Sequence, residues 1–176
     1  MSVLKSGPVA QLLPFEQVYR TNVGPVFLFV LSQVSRRSDA EDLTADVFAA
    51  AFAAYDASAP GPDAVRPWLM RIARNTVVDF HRRTGRRTAL LARLFGPAQD
   101  PSADVERTVV GRDELRLVLR QLKRMSPRDR VLVGLRVAGD LSYAEIGAVI
   151  GVSEHAAMTA TRRAVQRLRA MCEEAT

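Results

Sequence analysis

The stretch 141–169, LSYAEIGAVIGVSEHAAMTATRRAVQRLR, leaves little freedom in how it can fold. Ser142 and Glu145 form the Ser-x-x-Glu capping box, in which the serine side chain accepts from the backbone N–H of the glutamate and the glutamate side chain accepts from that of the serine. Gly151 can take the left-handed conformation that ends a helix, and Ser153 can cap a second helix at once. Val152, in the turn between them, is expected to be buried. Two short capped helices meeting at a glycine make a helix-turn-helix, a unit whose second helix lies in the DNA major groove.

Stepped at about 100° per residue, the second helix divides cleanly. Ala157, Thr161, Ala164, Leu168 and Met171 fall on the side that packs against the first helix. His155, Met158, Thr159, Arg162, Gln166 and Arg169 fall on the other, where they offer the donors that base edges and phosphates need. An ordinary amphipathic helix with a solvated basic face would show the same stripe. The hinge and the caps favour DNA.

Composition is consistent with that choice. The 176 residues carry a net charge of +6 with a pI near 10.4, which suits a polyanion and would equally suit an anionic membrane surface. No apolar run approaches the ~20 residues of a membrane span, so no membrane insertion is expected. The N-terminal MSVLKSGPVAQLLP is a poor secretory signal, and Cys172, the only cysteine, can form no internal disulfide, so a cytoplasmic location is expected. The charge is also unevenly placed: residues 1–61 net −2, residues 62–99 net +6, and the remainder +2. An acidic-leaning start, a basic middle and a helix-turn-helix end suggest three surfaces.

Periodicity is helical wherever it is clear, and no alternating strand or Asn-Gly hairpin stands out, so an all-α chain is expected. Helices are expected over 15–33, 40–55, 65–83, 113–125, 127–138, 142–150 and 154–171, with Ser126-Pro127 as a strong start signal. Between 84 and 105 the pattern weakens and Gly96-Pro97 and Asp100-Pro101 break it, so a linker is expected there, although 90–95 is apolar enough for a short helix.

Two of these helices have unusual faces. On the 40–55 helix Leu43, Val47, Ala51 and Ala54, widened by Phe48, Phe52 and Tyr55, form a broad apolar sector opposite a narrow face of Asp42, Asp46, Ala49 and Ala53. Asp39, Glu41 and Asp42 could simply be favourable first-turn anions, or the strip could accept a partner helix rich in arginine. On the 65–83 helix Leu69, Ile72, Ala73, Thr76 and Phe80 face inward, while Arg71, Arg74, Asn75, Val78 and Arg82 crowd the other side, and Arg83, Arg86 and Arg87 extend the positive track. Such a row beside an amide and Trp68 suits a nucleic-acid strand, though a single tryptophan is more often core than stacking platform.

The order DAEDLTADVFAAAF, then RPWLMRIARNTVVDFHRR, then a linker, then the helix-turn-helix resembles the bacterial RNA polymerase sigma factors of the sigma-70 family, in the short extracytoplasmic function (ECF) form. The resemblance runs from Phe15 to Arg169 and implies two small helical domains, region two and region four, joined by a flexible linker. The boundaries it suggests are an N-terminal extension over 1–14, region two over 15–87, the linker over 88–105 and region four over 106–176. It further implies that Asp39, Glu41, Asp42, Leu43 and Asp46 dock on core RNA polymerase, and that Trp68, Arg71, Arg74, Asn75 and Arg82 meet the minus-10 element. The loop 56–64 matches the family's base-capture position. Ser153, His155, Met158, Thr159, Arg162, Arg163 and Gln166 would meet minus-35 DNA. An anti-sigma factor is the further partner the resemblance implies.

The chain departs from the family's usual residues at Ala45, where glutamine is common, at Phe52, where tryptophan is common, and at Met158 and Ala160, where a lysine and an arginine are common. The promoter sequence therefore does not carry over. The rival reading is a stand-alone helix-turn-helix regulator with a sensing or dimerising first half, against which the whole-chain motif order argues. An enzyme is not expected: His81 and His155 stand on different segments, and there is no Cys/His metal spacing, no glycine-rich phosphate loop and no nucleophile with its base. No cofactor or metal is expected either.

Overall fold

The computed structural model describes residues 12–95 and 113–175, and every regular element among them is helical. In chain order these are α1 (Phe15–Gln33), α2 (Arg37–Ser58), a 3-10 turn (Pro62–Ala64), α3 (Val65–Phe95), α4 (Asp113–Arg124), α5 (Pro127–Val137), α6 (Tyr143–Ile150) and α7 (Glu154–Glu173). None of the described helices is long and apolar enough to cross a membrane. The expected N-terminal extension up to residue 11, the linker from 96 and the side chain of Arg87 lie outside the described residues.

Local signals explain most of the boundaries. Ser126 accepts from the Asp129 N–H at 3.2 Å with Pro127 at the first helical position of α5. The capping box of α6 closes in both directions, Glu145 N–H to Ser142 Oγ at 3.2 Å and Ser142 N–H to Glu145 Oε2 at 2.7 Å. Three expectations need correction. Helix α2 starts at Arg37 and runs to Ser58, so the expected 56–64 loop is shortened at both ends by helix and by the 3-10 turn. Helix α3 does not stop at 83 but continues to Phe95, so the first part of the expected linker is helical; TALLARLF is composed largely of good helix formers, which outweigh the roughly 1 kcal/mol that Gly85 costs. Phe52 is not part of the buried sector of α2: it is 65% exposed, edge-on to Phe15 with ring centroids 5.1 Å apart.

Helices α1, α2 and α3 pack on one another around Val26, Phe29, Val30, Val47, Leu69 and Ala73. Helices α5, α6 and α7 pack around Leu132, Ile146, Ala157 and Ala164. The two halves also pack together, α5 against α1 and α6 against α3, so that their apolar residues form one continuous core. The close point is Gly134 on α5, where a Cβ would lie 2.9 Å from the Phe29 ring, 3.0 Å from Gln33 Nε2 and 3.1 Å from Ser32 Oγ. Gln33 also donates across the junction to the Arg130 carbonyl at 3.2 Å. Sequence reading gave two domains and no sign of this contact.

A leucine at Gly134 must push α5 away from a fully buried ring, which overpacking places at about 1–3 kcal/mol of lost stability. The expected outcome for Gly134→Leu is a lower thermal midpoint together with a larger radius of gyration in small-angle scattering. An unchanged radius would mean that the halves are not held together at this point.

Candidate nucleic-acid and polymerase surfaces

Helices α6 and α7 meet at Gly151, whose φ of 78° is the left-handed conformation a side chain resists. The Gly151 and Val152 N–H groups both donate to the Gly147 carbonyl, at 2.8 and 2.9 Å, and Ser153 Oγ accepts from the Ala156 N–H at 3.3 Å. The turn is tight enough that a Cβ on Gly147 would sit 2.8 Å from the Val152 carbonyl oxygen. Val152 itself is 38% exposed, contrary to the expected burial, because the 6→1 hydrogen bond that closes the turn fixes its backbone and leaves its side chain outside the hinge.

The two faces of α7 fall as the periodicity predicts. Ala157, Thr161, Ala164 and Leu168 are buried, whereas His155, Arg162, Arg163 and Gln166 are exposed and Met158 and Thr159 half-buried. His155, Thr159 and Arg163 share an open cleft with Arg128, Asp129 and Arg167, and the Arg167 guanidinium is paired with the Asp129 carboxylate, tying α7 to α5. Arg162 lies on the other flank, with its guanidinium carbon 5.7 Å from the centre of the Tyr143 ring. Ser153 is occupied as the cap. Sequence reasoning missed Arg128 and Arg167; the i, i+4 spacing of Arg163 and Arg167 was the available signal.

On α3 the predicted outward row is exposed at Arg71, Asn75 and Arg82 and half-buried at Arg74. Arg74 Nη1 donates to Asn75 Oδ1 at 3.3 Å, joining charge and amide in one group. Arg82 leans toward Asp79 at 3.8 Å and is largely exposed. Trp68 is half-buried, packed on the core with its ring centroid 5.9 Å from that of Tyr55. One part of the indole is thus a core element.

The acidic face of α2 is divided. Glu41 is paired with Arg37 at 2.8 Å, Asp42 and Asp46 are exposed, and Asp39 is half-buried. Asp39, Asp42 and Asp46 line a small cleft with Arg83 of α3, so a cation of this chain stands at the edge of the strip. Leu43 points inward at 6% exposure and anchors the helix instead of presenting itself to a partner.

Residues 18–87 match Sigma-70 region 2 and residues 115–168 match Sigma-70, region 4. The RNA polymerase sigma factor NccH of Alcaligenes xylosoxydans xylosoxydans is 30% identical over 139 residues, 77% of this chain and 74% of that protein. The chain belongs to the sigma-70 family. Within that family it falls in the ECF group: the ECF RNA polymerase sigma factor SigM of Bacillus subtilis is 26% identical over 167 residues, covering 90% of this chain and 95% of SigM. Other ECF relatives are longer, and the chain spans 63% of one of them. The solved structure of the sigma factor RpoE in complex with the anti-sigma factor NepR from Bartonella quintana superposes with a TM-score of 0.73 at 25% identity, over 90% of this chain and 96% of that one. In this sigma factor, region 2 is carried by α1–α3 and region 4 by α4–α7.

The tightness of the hinge generates a test. Gly147→Val would force a branched side chain into backbone that cannot yield cheaply, and overpacking of this kind costs about 1–3 kcal/mol. The variant should lose thermal stability and bind duplex DNA poorly, while a variant at exposed Ala148 should do neither; normal melting of Gly147→Val would mean the hinge is looser than described.

Proposed function

We propose that this sigma factor delivers core RNA polymerase to one class of promoters by dividing the work among three surfaces. The acidic strip of α2, with Asp39, Glu41, Asp42 and Asp46 as contacts and Leu43 as their anchor, docks on the polymerase. The Arg71, Arg74, Asn75 and Arg82 face of α3, with the open side of Trp68, meets the minus-10 element as it opens. The outward face of α7 reads the minus-35 element in duplex form. The protein catalyses no reaction itself, requires no cofactor or metal, and acts in the cytoplasm. The observation that carries this reading is the α6–α7 hinge, with both caps made and His155, Thr159, Arg162, Arg163 and Gln166 left facing outward.

The two promoter elements are separated by about 25 base pairs, or about 85 Å at a rise of about 3.4 Å per pair. A packed chain of this length has a radius of gyration of only about 16 Å, so the closed arrangement cannot touch both at once. Engaging a promoter therefore requires α5 to leave α1. RpoE was solved with the anti-sigma factor NepR, and a partner of that kind would act on this chain by favouring the closed arrangement.

Two experiments test the assignment. Reversing Asp42 and Asp46 to lysine should abolish co-purification with core polymerase at unchanged helical content; undiminished binding would reduce the strip to favourable first-turn residues. In a selection over minus-35 variants, His155→Ala should change which sequences are used, because residues near the start of a recognition helix reach base edges. Arg162→Ala should instead weaken all of them alike and lower the salt dependence by about one phosphate contact. Identical rankings for the parent protein and His155→Ala would remove that residue from readout.

A further inference from the structure

Tyr143 is the first residue of α6, half-buried at the edge of the core, and it takes a guanidinium from each of two other helices. The guanidinium carbon of Arg136, on α5, lies 5.3 Å from the centre of its ring, and that of Arg162, on α7, lies 5.7 Å from it. Arg136 is fixed further by donating from Nη1 to the Leu141 carbonyl at 2.8 Å, which ties it to the turn that leads into α6. Arg162 is exposed and makes no ion pair among the described residues, so the ring is what orders it. Arg167, farther along the same helix, is paired with Asp129 and shows the alternative.

The two ways of holding an arginine differ in what they leave for a ligand. A carboxylate takes up N–H donors and neutralises the charge. The face of an aromatic ring attracts the cation through its quadrupole, and the N–H edge and the full charge remain available. A free arginine must also surrender rotamer freedom when it settles on a phosphate, and a side chain ordered beforehand surrenders less. Arg162 is thus held in a state suited to an anion.

We propose that Tyr143 is a positioning residue for DNA affinity: its ring, braced by Arg136, holds the Arg162 guanidinium ready for a backbone phosphate. This rests on the reading of α7 as the DNA-contacting helix, and the experiment separates the two. The phenol hydroxyl has no part in it, so the ring alone should suffice.

The full chain is suited to the test, because the outward face of α7 is exposed even with the two halves packed. A short fluorescein-labelled duplex of mixed sequence is titrated by anisotropy at several salt concentrations. Tyr143→Leu should weaken binding by about two- to five-fold, the range of one exposed cation–π contact. Its salt slope should fall toward that of Arg162→Ala, and Tyr143→Phe should behave as the parent. The double variant should bind no more weakly than Arg162→Ala alone. Additive losses would make Tyr143 merely structural and overturn the proposal, as would unchanged or tighter binding by Tyr143→Leu. If Arg162→Ala itself bound as the parent, the DNA role of this face of α7 would fall, and the proposal with it. Should Tyr143→Leu fail to fold, the parent protein still decides. The Arg162 Nε–H proton, assigned by its loss in Arg162→Ala, should be displaced upfield by the ring current relative to that of exposed Arg163, and an undisplaced proton would overturn the contact.

Discussion

With no side chain at Gly134, α5 lies close enough to α1 for its backbone to touch the Phe29 ring and the side chains of Ser32 and Gln33. The last turn of α1 is thereby engaged on two sides. The Gln33 carbonyl accepts from or faces His81 Nε2 of α3 at 3.0 Å, while the Gln33 side chain, itself buried, donates to Ser32 Oγ and to the Arg130 carbonyl of α5. This turn of helix, together with the packing of α6 on α3, sets where region 4 stands relative to region 2. Helix α7 inherits its place from α5 through shared packing and the Arg167–Asp129 pair, which lies in the same cleft as His155, Thr159 and Arg163.

That arrangement leaves α2 with a mainly acidic outward face and α3 and α7 with mainly basic ones. The acids of α2 stand near Arg83 at one edge, with Glu41 paired to Arg37 of its own helix, while most exposed guanidinium groups of α3 and α7 occupy other faces. Exposed charges more than about 8–10 Å apart are largely screened from one another at ordinary ionic strength. Stability is left to the apolar core and to the caps, which do not depend on salt.

What could be read in the sequence was whatever is decided within a few residues. Ser126-Pro127, the Ser142–Glu145 box and Gly151 fixed helix ends almost to the residue, and the phase of α7 followed from Ala157, Thr161, Ala164 and Leu168. What failed depended on context. Val152 looked buried because it is apolar and sits in a hinge, yet the hydrogen bonds to Gly147 decide where it points. Phe52 fits the apolar sector of α2 by phase, but α1 covers it only along one edge, through Phe15. The docking of the two halves, and the meeting of Arg136 and Arg162 at Tyr143, join residues far apart in the chain, and no periodicity carries that information.

The closed junction is also not built for permanence. It sets the α5 backbone at Gly134 against the Phe29 ring, and it mixes that apolar contact with polar ones. Arg130, whose carbonyl receives Gln33, has its Nε buried without a partner, and desolvation lowers the pKa of its guanidinium. An unpartnered buried donor costs about 1–3 kcal/mol. That cost narrows the margin by which the closed form is preferred. A partner that binds either half more strongly in one arrangement than the other can then move the equilibrium, since a shift needs only a differential affinity larger than that preference. A polymerase surface that meets the α2 strip and promoter phosphates that meet α7 would pull the halves apart, and any protein spanning both halves would hold them together.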